Sequence, residues 1–535
     1  MSRSRQERQG VALLMAIMFL AALFSLSLLL LAVLPLEMRA TGRQKMETEA
    51  FYAAEAGVLQ ALAWMETRAA KGHPAIPSGS DKYELTGSVA NWNWKAEIGA
   101  VPVNPSNPDD TRPAYTVRST AFLGGTRYRS VSVALCQESM SRFAWFEESG
   151  SEGLWIGAES FRIDGPFHTN KYIQVNVPSG FYGSNHPSTF TQGVTMAGAA
   201  PNSPDGVNYN CPFGTNNPPF DSKGRPIEER YRKIFGEGGS SNVLPRVKKI
   251  QLPSHAKDLA AEAWGSGLPP PTQIGVHPGL GSSSNRVEGG LYIVGDVKKM
   301  TLAVTGGNRR LTITQGSNTV EVLETVSGTA VAPDGSVIPK DSTMVRTGDE
   351  FAVYSGLTNG LVYCTGNINS LSGVNRGKRT IAVDVAQGKD ITITADLTRA
   401  DTSPGQAPTG SRDNLGLVGH NIWIQNSSSH TEANPLDIYA ALMGGRRNAD
   451  GTVSGYVGPT DVYGPLTRVR LFGGLMMGDK QTWGKYSGGR QYSGMTLESR
   501  YDSHLANSPP PYFPSIAKFR VVSYREEHEQ SAVDW

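Results

Sequence analysis

The sequence predicts a mainly β protein that opens with one long helix. The helix runs from a membrane span onto a small antiparallel sheet, and a β-solenoid (parallel β-helix-like) body follows. Three observations predict this. An uncharged apolar run fills Val11–Leu34. Apolar residues then recur at three- and four-residue steps from Phe51 to Met65. The rest of the 535-residue chain is rich in glycine and proline (Gly 60, Pro 33), with short apolar segments between turn-forming stretches.

The first run is bracketed by Arg8 and Glu37, and only Ser25 and Ser27 interrupt its apolar character. Its length of about 24 residues gives a helix of roughly 36 Å. That is enough to cross a hydrocarbon core of about 30 Å with some tilt. A helix also satisfies every backbone amide internally, as lipid requires. Two other readings compete: a cleaved secretory signal and a plain signal anchor. Secretory signals have an apolar core of about 7–15 residues and a small-x-small exit; this core is longer and no such exit follows. Basic residues flank both ends, with Arg3, Arg5 and Arg8 before and Arg39, Arg43 and Lys45 after, so the charge rule does not orient the span. Only ten residues precede it, which places the N-terminus inside and the large body across the membrane.

Beyond the span, Phe51, Ala54, Val58, Ala61, Leu62 and Met65 share one helix face, while Glu47, Glu49, Glu55 and Arg68 lie off it. The helix is therefore expected to continue to about Ala70, with a bend at Pro35. Strands are expected at Tyr83–Ala90, Trp92–Val101, Ala114–Phe122 and Arg127–Cys136. Leu123-Gly124-Gly125-Thr126 makes a hairpin turn, and polar and apolar residues alternate as on a half-buried sheet.

After Ser141 the texture changes. Linkers rich in Pro, Gly, Asn or Ser fall at 198–226, 265–290 and 398–413. Short strands are expected between them, among them Gly290–Val297, Gly360–Cys364, Arg379–Val385, Asp390–Leu397, Gly416–Gln425 and Leu436–Met443. Gly295-Asp296, Gly366-Asn367 and Gly419-His420-Asn421 follow several of these segments. No fixed period emerges, but irregular turns between short strands fit a stacked solenoid; a β-sandwich is the alternative. The expected division is 1–10 leader, 11–36 transmembrane helix, 37–140 helix plus small sheet, 141–289 loop-rich β connection and 290–535 solenoid.

Net charge is +2, which gives no reason to expect nucleic acid as a partner. No phosphate-binding glycine motif stands in a strand-to-helix context, and no cofactor is expected. Cys136, Cys211 and Cys364 form no C-x-x-C pair, so no zinc site is expected. One disulfide among them or three buried thiols remain open.

The candidates for chemistry are few. Asp384, Asp390 and Asp396 are six residues apart and could stack on adjacent coils as a carboxylate pair acting on a sugar; turn capping is the plainer reading. Asp164, His168 and Asn170, in Asp164-Gly165-Pro166-Phe167-His168-Thr169-Asn170, form either a structural turn or a ligand site. Asp502 and His504 would share a strand face. Asp205-Gly206, Asp334-Gly335 and Asp450-Gly451 lack the spaced ligands of a calcium loop and read as tight turns. Trp92, Trp94, Trp423 and Trp483 could stack on sugars, with core packing as the default.

Arg8-Gln9-Gly10 before Val11-Ala12-Leu13-Leu14-Met15 resembles the leader of type IV pilins and type II secretion pseudopilins. Ala50-Phe51-Tyr52-Ala53-Ala54-Glu55-Ala56-Gly57 is similar to a segment of PilX-type minor pilins. The resemblance implies prepilin peptidase cleavage between Gly10 and Val11, methylation of the new N-terminus, and an assembly helix that includes Met15, Phe51, Ala54, Glu55 and Gly57. Met15 stands where most pilins have glutamate. Some minor pilins that lack that glutamate are associated with filament tips. Ile163–Asn170, Gly416–Ile424, Tyr501–His504 and Pro509–Pro514 resemble an uncharacterised domain of bacterial pilin-like proteins, which brings no activity with it.

The expectation is a non-enzymatic minor pilin-like protein of a type IV pilus or type II secretion-like system. It would sit single-pass in the inner membrane with its body periplasmic or extracellular, and act in assembly, tip initiation or adhesion. Membrane lipid, other pilins or pseudopilins, prepilin peptidase and a surface glycan are the expected partners. The alternative is a membrane-anchored β-helix protein that binds or cleaves extracellular glycans.

Overall fold

The computed structural model describes residues 3–528 except 72, 78–79, 81, 102–111, 149–153, 159, 179–180, 201–202, 204, 211–219, 222, 224, 254–256, 266–268, 281–284, 409–411, 432, 449, 480 and 488–489. Helix α1 (Arg3–Ala70) runs for 68 residues, unbroken through Pro35. Its two halves differ. From Leu13 to Met38 the large apolar side chains are exposed, and this part is long and apolar enough to cross a membrane. From Ala50 onward one face is buried: Ala50, Ala53, Ala54, Val58, Ala61 and Met65; of the expected stripe, Phe51 and Leu62 are half-buried and Ala50 and Ala53 take their share of the contact.

That stripe packs on an antiparallel meander of β1 (Lys82–Val89), β2 (Trp92–Val101), β3 (Ala114–Leu123) and β4 (Thr126–Ser139). Trp94, Ala96, Ile98, Val117, Val131, Val133 and Leu135 form the other side of this core. The strand bounds lie within a few residues of those expected, because alternation on a half-buried sheet is a local signal.

A fifth strand completes the sheet, and it comes from the far end of the chain. Ser515–His528 pairs antiparallel with β4, Tyr524 opposite Val133 and Arg520 opposite Cys136. This corrects the division that carried the second body to 535. Without that strand β4 would be an open edge, and Phe519, which meets Tyr115 edge-on at 5.7 Å, would be missing from the core. Everything from Met140 to Pro514 is thus inserted between two adjacent strands of the head.

The inserted body is large, mainly β and built of several sheets. In its eleven-stranded sheet the chain enters at Trp145–Glu147 and steps in parallel to Phe167–Thr169, Val194–Met196 and Val243–Leu244. It then crosses to the opposite end, where Gly275–Leu280 pairs antiparallel with Val287–Val294. From there Leu361–Cys364, Lys378–Val383, Asn414–Gly419, Ala441–Gly444 and Gly474–Met477 step back in parallel. The last of these pairs with Trp145–Glu147. In the facing sheet Arg490–Arg500 likewise pairs with Phe161–Asp164. The first and last turns of the body are therefore neighbours, which lets one insertion leave and re-enter the head at nearly the same place. The region expected as a loop-rich connection supplies strands to these same sheets.

One interior ladder runs through ten of the eleven strands: Leu291, Val362, Ile381, Leu417, Leu442, Leu475, Trp145, Phe167, Val194 and Val243, each opposite the next. All belong to one core, and burial of each contributes roughly 1.5–3 kcal/mol.

Candidate functional site

The residues of the N-terminal site lie on α1. Gly10 and Val11 are within the helix, and the side chains of residues 1–12 are outside the described set. Met15 is 68% exposed near the start of the apolar half. Farther along, Ala54 is buried, and Phe51 lies half-buried under the Arg129 guanidinium, 5.4 Å from its ring centre. Glu55 faces the last strand: the Tyr524 phenol is pushed up by burial and then by Glu55. At Gly57 the helix lies directly against the sheet. A Cβ there would lie 2.2 Å from Ser119 Oγ and 2.9 Å from the Trp94 ring, so any side chain forces the sheet to give.

His168 and Asn170 are brought together, with Asp164 in the turn before them. Gly165 has φ +138°, and a Cβ there would meet Tyr501 and Ala144, so this turn requires glycine. Asp164 accepts from the Thr191 hydroxyl at 2.5 Å. The His168 ring stacks on Phe146 at 5.6 Å. Its Nε2 lies 3.0 Å from Asn170 Oδ1 and its Nδ1 2.9 Å from Thr195 Oγ1. Asn170 Oδ1 also accepts from the Ile250 N–H at 2.9 Å, so Nε2 of a neutral ring is the donor there, while the single Thr195 hydroxyl proton is shared between Nδ1 and the Phe167 carbonyl, 2.8 Å away. Burial lowers the His168 pKa, which favours that neutral form. Asn170 thereby clamps the crossing segment at Ile250 onto the sheet.

The aspartates of the body are engaged in holding turns. The Asn367 N–H donates to Asp296 Oδ1 at 2.7 Å, Asp390 N–H to Asn367 Oδ1 at 2.9 Å, Asn421 N–H to Asp390 Oδ1 at 3.0 Å, and Tyr456 N–H to Asn421 Oδ1 at 3.2 Å. The Gly-Asp and Gly-Asn turns that recur in the sequence are the rungs of one ladder joining successive turns of chain. Burial works to raise the Asp390 pKa, and hydrogen bonds from His420, Trp423 and Asn421 outweigh it, leaving it below the usual range. Asp384 caps a short helix by accepting from Gln387 N–H at 3.1 Å. Asp396 accepts from Asp437 N–H at 2.9 Å, and Asp437 in turn takes two bonds from Arg470 at 2.6 and 2.8 Å.

Asp502 and His504 are not on a strand. The strand ends at Arg500, and His504 opens a short helix. Asp502 Oδ1 accepts from the His504 N–H, and its Oδ2 takes Arg399 Nη2 at 2.8 Å. Both members of this ion pair are fully buried. A second pair, Arg379 with Glu324 at 2.6 Å, is nearly as buried. Sequence reasoning missed both, because the partners are far apart in the chain. Asp205, Asp334 and Asp450 each accept from the backbone N–H two residues on, the geometry of tight Asx turns. Among the described residues no group of three or more His, Cys, Asp or Glu is placed to hold a metal.

Cys136 and Cys364 are both buried, and burial pushes the Cys364 thiol up to about 12. Cys211 lies outside the described residues. Trp92, Trp94 and Trp483 are core residues, and Trp423 is half-buried at the surface. No family model, curated protein or solved structure matches the chain.

Proposed function

We propose that the chain is a non-enzymatic, pilin-like subunit of a type IV pilus or pseudopilus. The leader is removed after Gly10 by a prepilin peptidase, and Val11 becomes the methylated N-terminus. The apolar half of α1 lies first in the inner membrane and then among the helices of other pilins. The head and body are carried outside the cytoplasm. The observation that carries this reading is the division of labour along α1: one continuous helix is exposed and apolar in its first half and docked on the head sheet in its second. A simple tether needs no rigid coupling between span and domain, whereas a filament subunit does.

Met15 cannot supply a carboxylate to a neighbour's amine, and a buried carboxylate would itself need a partner. This fits a subunit with no subunit beyond it, at the tip, where it primes assembly or attaches to a surface. The body reads as a solenoid, because from Leu361 to Met477 the chain passes back and forth between the two large sheets and its strands pair in parallel with those one turn away. The rigid column would project the far end of the body from the filament. Immunogold labelling of filaments from the native host tests this. Label at filament ends, together with fewer filaments when the gene is deleted, is the expected result; filaments that form normally and never carry label would contradict it.

A further inference from the structure

The facing sheet ends in a small antiparallel meander. Lys299–Thr305, Asn308–Gln315, Asn318–Glu324, Ser342–Thr347 and Glu350–Ser355 pair in chain order. Lys299–Thr305 joins them to the stacked turns by pairing with Ile368–Asn375. Leu323, Ala332, Ile338 and Met344 give the meander a core of its own, with Phe351 packed alongside. Glu350–Ser355 is the outermost strand.

An unpaired strand edge is a template for another strand, and proteins blunt such edges with charge, proline or a bulge. The other edge strands of comparable length are blunted here. β1 exposes Lys82 and Glu84. Ser515–His528 exposes Arg520, Arg525 and Glu526 and breaks register twice. Gly275–Leu280 carries Pro278 and a register shift beside it. Glu350–Ser355 has no proline, its register with Ser342–Thr347 is unbroken, and its one charge is at Glu350. Val353 is 40% exposed.

The main-chain bonds show which groups are free. The Ser355 N–H donates outward to the Asn285 carbonyl at 2.9 Å, and the Gly356 N–H donates inward to the Asp341 carbonyl at 2.8 Å. Main-chain groups alternate sides along a strand, so Phe351 and Val353 point theirs outward like Ser355. Among the described residues nothing pairs with them on that side.

These free groups match those of a second copy. Pair the strand with itself antiparallel, with a two-fold axis at Ala352. Phe351 then stands opposite the second copy's Val353, and each such pair exchanges both N–H···O bonds. Ala352 meets its own copy between them. The side chains agree with this register. Val353 stands opposite Met344 of the small core, on the face where Phe351 packs, so the second copy's Phe351 covers it. The ends agree in charge. Arg286 is exposed and bridges to Ser355, where the second copy's Asp349 and Glu350 arrive.

We propose that Glu350–Ser355 is a self-association edge, through which two copies of the chain join their meanders into one antiparallel sheet. The contact is short, so the dimer is reversible and forms at high local concentration. It stands independently of the pilin-like reading.

The test uses the full chain in lipid nanodiscs carrying one copy each, which keeps α1 out of the contact. Cysteine variants are oxidised on a Cys211→Ser background. In the proposed register the two copies of residue 352 have Cα atoms about 4.5 Å apart, within disulfide reach. The two copies of residue 350 are about 13 Å apart along the strands. Ala352→Cys is expected to give a disulfide-linked dimer, and Glu350→Cys no more than the background chain. Sedimentation should show a concentration-dependent dimer in the parent. Val353→Pro removes half of the bonds between copies and should weaken that dimer about tenfold, while its melt stays near the parent's because the lost N–H points outward. Should the proline variant melt early, Val353→Lys is read in its place. No cross-linked dimer from Ala352→Cys, equal cross-linking by both cysteine variants, or association unchanged by the Val353 substitution overturns the proposal.

Discussion

Val133 and Tyr524 stand opposite each other in adjacent antiparallel strands, although the whole β body lies between them in sequence. The head that receives α1 cannot be complete until the last strand has been made. Folding of head and body is therefore coupled: the body must bring its two ends together before β4 meets its partner.

The first prediction follows from that pairing. Phe519→Ala removes a ring from the head core against Tyr115 and should cost about 3 kcal/mol. Limited proteolysis should then open the head before the body. A uniform loss of stability across both would mean that the two are one cooperative unit.

Gly57 supplies the second. Gly57→Ala should destabilise by about 1–3 kcal/mol through overpacking, since its Cβ would meet Ser119 Oγ and Trp94. Ser119 Oγ is buried with no hydrogen-bond partner among the described residues, so Gly57→Ala with Ser119→Gly should recover part of the loss. Thermal melts of the single and double variants check this, and strictly additive losses would count against a close helix–sheet contact there.

Asp390 gives a pH dependence. Its carboxyl is held below the usual range in the folded protein. Such a group stabilises the fold above its unfolded pKa, and the increment is lost as pH falls through the folded value. Asp390→Ala should cost about 1–3 kcal/mol at neutral pH. The gap between variant and parent should shrink as acid is taken below about pH 4. Denaturant melts at several pH values measure it; a gap that does not change with pH would remove the ladder role of the charged carboxylate.

The buried Arg399–Asp502 pair gives the fourth. Asp502→Ala strands a buried guanidinium and should cost about 3–5 kcal/mol, whereas Arg399→Met with Asp502→Leu should recover most of that. Chemical denaturation of the two variants distinguishes a structural pair from one whose charge is needed elsewhere.

Much of this architecture was legible in the sequence. The span and the Phe51–Met65 stripe are periodic signals carried within one helix, and β1–β4 alternate visibly. The Gly-Asp and Gly-Asn turns could be seen to recur, but their joining into a ladder depends on stacking that no local pattern encodes. The same limit hid the pairing of Ser515–His528 with β4 and the seam between Trp145–Glu147 and Gly474–Met477. Asp502 reads with His504 as part of a strand face, and its burial against Arg399 is hidden, because burial is decided by the turns packed over them.

The central claim is that α1 is a pilin helix rather than a tether, and the N-terminal mass of the protein recovered from its own host tests it most directly, with and without the prepilin peptidase. The account predicts a mature chain beginning at Val11, methylated, and an uncut chain in the peptidase mutant. An intact Met1 start, or cleavage beyond Leu34, would contradict it.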